Sequence, residues 1–183
     1  MVPNRRRFLG SAALLSGAAV ALLAGRDALA AGESRGAKSE ASDARILNTA
    51  LGAELEAVAA YEVAAESGLL EKPVLALATQ FQGHHREHAD LLAKTVSKLG
   101  GKPVAAKARY SFPTEKLKNQ ADVLRFAAQL EKGAVSAYLN AVPLFGNRDL
   151  SKAAASILGD EAMHWAVLRQ AVGENPVPVA FVS

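Results

Sequence analysis

The chain has 183 residues, with 21 Lys and Arg against 18 Asp and Glu, four His and no Cys. The lack of Cys excludes disulfides and thiolate metal sites. Residues 1–30 hold four Arg and one Asp, which leaves 17 basic and 17 acidic residues beyond them, so binding to nucleic acid has no electrostatic support.

Residues 1–30 read as a targeting segment outside the fold. Asn4-Arg5-Arg6-Arg7-Phe8-Leu9 fits a twin-arginine signal, and an apolar run follows from Ala12 to Ala24. That run is short and rich in Ala and Gly, so it predicts no stable membrane span. Ala28-Leu29-Ala30 is a small-x-small cleavage site. It predicts a mature chain that starts at Ala31 and is exported to the periplasm; an uncleaved N-terminal anchor is the other reading. Residues 31–42 are small and polar, a flexible leader.

The first helix is predicted from Asp43 to Gly68, with Ser42 as N-cap and an inner stripe of Leu47, Leu51, Glu54, Val58, Tyr61 and Ala65. The second begins near Pro73, stops at Gly100-Gly101 and carries Phe81, His85, His88, Leu92 and Leu99 on its stripe. The turn between them is short, so they pair antiparallel. Residues 101–119, with Phe112-Pro113 and several lysines, read as a long connection. The third helix is predicted from Gln120 to Phe145, with Asn119 as cap and Pro143 kinking or ending its last turn. Its stripe includes Leu124, Ala128, Glu131, Val135 and Tyr138. The fourth is predicted from Leu150 to Val172, with Asp149 as cap and Gly173 as stop; its stripe is Ala154, Ile157, Glu161, His164, Leu168 and Ala171. Residues 174–183 form an apolar extended tail, placed against the bundle or a partner subunit; monomer and homodimer both stay open. No strand-like alternation persists, so the fold class is all-α, one domain over residues 43–173.

The chain also repeats itself. Glu54 and Tyr61 lie seven apart, as do Glu131 and Tyr138; the offset of 77 also aligns Ala57, Val58, Ala60 and Ala64 with Ala134, Val135, Ala137 and Ala141. An offset of 76 takes Glu161 and His164 to His85 and His88, and pairs Phe81 with Ile157, Gly83 with Gly159 and Leu92 with Leu168. The chain therefore reads as two copies of a helix pair.

Glu161 and His164 share one helix face inside an apolar stripe, where a carboxylate is costly to bury without a partner. A lone buried Glu more often pairs with Lys or Arg, but the stripes place none near Glu54 or Glu131, and the pattern occurs twice. A metal ion is the partner this points to. His84 rivals His85, since it precedes His88 by four residues; the repeat offset favours His85. Tyr61 and Tyr138 read as hydrogen-bonded core residues, and Trp165 as packing.

One Glu from each of two helices, with Glu-x-x-His from each of the other two, is the ligand pattern of di-iron carboxylate bundles. On Glu54, His88, Glu131, Glu161 and His164 the chain resembles the ferritin-like superfamily, and it is similar to bacterial ferritin-like domain proteins exported with a twin-arginine signal. The resemblance implies an antiparallel four-helix bundle with a long crossover between helices 2 and 3. It also implies a metal site formed by Glu54, His85, His88, Glu131, Glu161 and His164. Position 85 departs from the family, with His where Glu is usual, so only Glu161 can bridge two ions. Carboxylate and imidazole donors suit one or two ions of iron or manganese, and also zinc. Three functions follow: a metal-dependent oxidase or metal-handling protein, a metal-binding stress or structural protein without turnover, and a metal-free interaction module.

Overall fold

The computed structural model describes residues 35–182, and the expected targeting segment lies outside them. Four long helices dominate: α1 (Arg35–Glu66), α2 (Lys72–Lys98), α3 (Gln120–Ala141) and α4 (Arg148–Ala171). Short 3-10 turns lie at Thr114–Lys116 and Val142–Leu144, and there is no strand among the described residues. The fold is the expected all-α bundle. No helix of the described residues is long and apolar enough to cross a membrane.

The helix ends follow from local chemistry. Pro73 sits in the first turn of α2, where its missing N–H costs nothing. At the other end Gly100 takes φ +75°, and the Gly101 N–H reaches back to the Val96 carbonyl at 2.9 Å, closing the helix. Asn119 caps α3 by accepting the Asp122 N–H at 3.0 Å. Pro143 ends α3: the helix stops at Ala141 and Pro143 lies in the 3-10 turn that follows.

Three boundary expectations are corrected. α1 begins at Arg35 and not Asp43, so Ser42 is inside the helix and caps nothing. Ala37, Lys38, Glu40 and Ala41 are good helix formers with no Pro among them, which lets the helix extend upstream. The cap of α4 is Asn147, whose Oδ1 accepts the Asp149 N–H at 2.8 Å; Asp149 itself belongs to the first turn. Ala171, expected on the inner stripe, is exposed at the last position of α4, while Leu168 and Val172 stay against the core.

α1 packs on α2 and α3 packs on α4, forming two hairpins that meet through α1 and α3. Tyr61 of α1 meets Glu131 of α3, while Glu54 meets Tyr138, so the two helices run in opposite directions. α2 therefore runs parallel to α3, and residues 99–119 must travel the length of the bundle between them. α2 has 27 residues, a span of about 40 Å at 1.5 Å per residue. The link is pinned on its way. Asn48 donates to the Lys102 carbonyl at 2.8 Å and accepts the Val104 N–H at 2.7 Å. Farther on, Phe112 stacks on Tyr110 and meets the edge of Phe126 on α3. At the C-terminal end Val182 packs on the bundle, while Phe181 is 89% exposed.

Asp43 gives the bundle a tie that its place on α1 does not advertise. Its side chain is buried, and its two carboxylate oxygens accept the N–H groups of Gly146 and Asn147 at 2.9 and 3.0 Å. A Cβ at Gly146 would come within 1.9 Å of the Ser39 hydroxyl and 3.2 Å of its Cβ, so the α3–α4 turn packs closely on α1 there and a larger residue would need Ser39 to turn away. Asp43→Ala should leave both N–H groups without an acceptor and cost roughly 2 kcal/mol, read as a lower denaturation midpoint at unchanged slope. An unchanged midpoint would mean that water replaces the carboxylate at no cost.

Candidate metal centre

Two apolar layers enclose a polar one. Leu47, Leu51, Leu92, Val96 and Ile157 form one layer; Phe81, Leu124, Trp165 and Leu168 form the other. Tyr138 belongs to the first and Tyr61 to the second, and each turns its hydroxyl toward the space between. Glu54 from α1, His85 from α2, Glu131 from α3, and Glu161 and His164 from α4 fill that space, all buried; His88 lies at its edge.

The seven-residue spacing of each Glu and Tyr now has a physical reason. Seven residues are two helical turns and return to the same face. Between antiparallel helices the pairs then cross. The Tyr61 hydroxyl donates to Glu131, and the Tyr138 hydroxyl donates to Glu54 at 2.5 Å. Each helix supplies the hydrogen bond that orients the other's carboxylate.

Donor atoms gather in two groups of four and one of three, each with its atoms within 4.8 Å of one another; the groups of four are Glu54, His85, His88 and Glu161, and His85, Glu131, Glu161 and His164. His85 and Glu161 belong to both. All six residues singled out in the sequence are thus brought together, three carboxylates and three imidazoles. His85 sits centrally, with Nδ1 2.7 Å from Glu54 and Nε2 3.3 Å from Glu131. His88 Nδ1 lies 3.1 Å from Glu161 Oε1. His164 Nδ1 lies 3.5 Å from Glu131 and 3.7 Å from Glu161. Yet His88 Nδ1, His164 Nδ1 and both Glu161 oxygens have no hydrogen-bond partner in the protein. His88 and Glu161 are close but misaligned for N–H···O, as donors are when they converge on a common point. Buried polar atoms left this way are expensive. Carboxylate oxygen and imidazole nitrogen are also the donor types that iron, manganese and zinc accept. The residues fit a metal.

The charges are balanced internally. Burial alone would push His88 and His164 down. Glu161 and Glu54 reverse this for His88, and Glu131 and Glu161 for His164, lifting each to about 9. Burial likewise opposes protonation of His85, but Glu131 and Glu54 hold it well above its ordinary value. Glu54 and Glu131 are held below the usual carboxylate range, because these imidazoles outweigh the burial that would raise them. Glu161 goes the other way: burial lifts it to about 7. Burial and the facing carboxylates push both tyrosines far above their ordinary range, so they stay protonated donors.

A second set of polar residues lies outside the first. Asp160 Oδ2 is 3.2 Å from His164 Nε2 and 3.4 Å from His88 Nε2, so one carboxylate faces the outer nitrogens of both imidazoles. His84 Nδ1 is 2.9 Å from the same His164 Nε2. His84 thus stands beside the centre, in neither four-residue group. The role of Asp160 was missed from sequence. The signal was there, because the offset of 76 that pairs His85 with Glu161 also pairs His84 with Asp160.

The protonation pattern predicts a pH window. The folded values of His88 and His164, about 9, exceed the ordinary imidazole value of about 6.5. Their stabilisation of chelator-treated protein is complete below pH 6.5 and is lost as pH rises to about 9, by roughly 3 kcal/mol per imidazole at most. Melting temperature should therefore fall across this window. A flat profile would contradict the internal ion pairing.

A family model described as a ferritin-like domain matches residues 42–174. Among solved structures, a conserved hypothetical protein from Mycobacterium tuberculosis, rv2844, superposes with a TM-score of 0.68 at 24% identity, covering 78% of this chain and 99% of its own. At that identity the likeness speaks for the fold alone. No curated protein matches the chain. The family match spans all four helix cores and every residue of the polar layer, and the chain belongs to the ferritin-like domain family.

Proposed function

We propose that this chain is an exported ferritin-like protein whose core holds one or two ions of iron or manganese, with oxidase or metal-handling activity. One observation carries the reading. Carboxylates and imidazoles from all four helices converge in two groups sharing His85 and Glu161, and four of their buried atoms lack any hydrogen-bond partner. Glu54 and His88 would hold one ion, and Glu131 and His164 the other. Glu161 alone would bridge them, because a neutral imidazole does not normally do so; His85 would ligate one. Bound iron or manganese would supply one-electron redox chemistry and Lewis acidity. The protein's own part is to aim and to exchange protons. Tyr61 and Tyr138 hold the glutamates in place, and His88 and His164 give up protons when they bind an ion.

A second reading has its own support. Three imidazoles balance three carboxylates, and His85 hydrogen-bonds to both Glu54 and Glu131, so the layer can persist as a metal-free ion-pair network. The bundle would then act as a stress or interaction protein without turnover. Loaded and chelator-treated samples separate the two. A ligand at a thousand times its dissociation constant adds about 4 kcal/mol, so the iron- or manganese-loaded protein should melt several degrees higher. His85→Glu should restore a second bridge and raise iron toward two per chain by elemental analysis. Identical melting curves would favour the metal-free network.

Export is tested separately. The Arg5-Arg6 pair supports twin-arginine targeting. Arg5→Lys combined with Arg6→Lys should keep the protein in the cytoplasm, and mass spectrometry of exported wild type should find a chain starting at Ala31. Normal export of the double variant would remove the twin-arginine reading.

A further inference from the structure

His164 presents two nitrogens to two different places. Nδ1 faces Glu131 and Glu161 inside the bundle, whereas Nε2 faces outward to His84 and Asp160. His84 Nδ1, His164 Nε2 and Asp160 Oδ2 form a nearly equilateral triangle, with edges of 2.9, 3.2 and 3.2 Å. An ion about 2.1 Å from each atom would sit above this plane, with donor–metal–donor angles of roughly 95°. Such angles describe one face of an octahedron. A tetrahedral zinc site would need its donors about 3.4 Å apart. Two imidazoles and one carboxylate on a single face, with the opposite face open, suit ferrous iron or manganese. The side chains of His84 and Asp160 are 34% and 22% exposed, so the open face meets solvent.

We propose that His84, Asp160 and His164 form an outer position for a divalent transition ion, from which ions pass to the core. The position stands on its own geometry; the hand-over rests on the metal-binding reading of the core. A neutral imidazole has one lone pair, so His164 serves either the outer ion through Nε2 or the core ion through Nδ1. The two uses exclude each other. The outer position therefore fills first and empties as the Glu131 side of the core fills, and His84 affects the rate of loading but not the final count.

The test is cobalt(II) uptake by the full mature protein, comparing wild type, His84→Ala and His84→Asp. Elemental analysis gives ions per chain, and stopped-flow absorbance gives the rate. His84→Ala should reach the wild-type count but load about tenfold slower, the size of effect expected for a lost outer contact. His84→Asp supplies a ligand again and should recover most of the rate. Equal rates in wild type and His84→Ala, with the core loaded, would overturn the outer position and leave the core reading intact. A single ion in wild type that His84→Ala abolishes would uphold the outer position and reject the core. No ion in wild type would reject both. His84 is partly exposed, and a matching thermal melt for each variant confirms that the comparison is between folded proteins.

Discussion

Three carboxylates buried in one bundle interior are the constraint on which the rest of this structure depends. Glu54, Glu131 and Glu161 are each 3% exposed or less. Among the described residues their basic partners are all histidines, and the Lys and Arg ion pairs lie elsewhere, at Arg125 with Asp122 and Arg169 with Glu174. Leaving such charges uncompensated in an apolar interior would cost more than a domain of this size has in reserve. Compensation comes from protons, held on the imidazoles and in part on Glu161 itself, or from metal ions. The lifted pKa values of the imidazoles describe the first. The unpartnered atoms of Glu161, His88 and His164 are arranged for the second. Both draw on the same lone pairs, so a metal ion held there would displace the protons of the imidazoles.

The duplicated hairpin explains how four helices meet this demand together. At matching places in the repeat, α1 and α3 each give a Glu and the Tyr that orients the other's Glu. Neither half is complete alone, because the Tyr61 and Tyr138 hydroxyls cross between the hairpins. The crossed bonds also fix the antiparallel register of α1 and α3, since sliding one helix by a turn would break both at once. The long crossover follows from the same duplication. Two antiparallel hairpins related this way bring α2 and α3 parallel, and a parallel pair needs a connection as long as the bundle.

Much of this was legible in the sequence, because helical periodicity and duplication are local and arithmetic. The stripes, the E-x6-Y repeat and the offset to His85 and His88 needed no three-dimensional information, and the six residues they name lie together in the polar layer. What was not legible depends on approach between distant segments. Asp43 reads as an ordinary polar residue near a helix start until the turn at Gly146 packs on it. Asn147 caps α4 instead of Asp149 because Pro143 and the 3-10 turn set where the backbone can re-enter a helix. Asp160 is paired with His84 by the repeat offset, but that it faces His84, His88 and His164 at once depends on how α2 and α4 pack.

The two halves of the duplication are equal in position but not in chemistry. At paired positions α4 carries Asp160 and Glu161, while α2 carries His84 and His85. Both exchanges replace an anion with a group that can be neutral or cationic. Had α2 kept carboxylates at both, the layer would hold four buried acids against two imidazoles, with Asp160 and its counterpart adding charge just outside. Such a layer would need metal in order to stay folded. With His85 in place the acids and bases of the layer match in number, three of each. Of the three acids, Glu161 is the one whose two oxygens are left without a hydrogen-bond partner. The difference between α2 and α4 at these two positions therefore sets the charge of the whole layer, because every other acid and imidazole in it has a counterpart at the matching place in the other half.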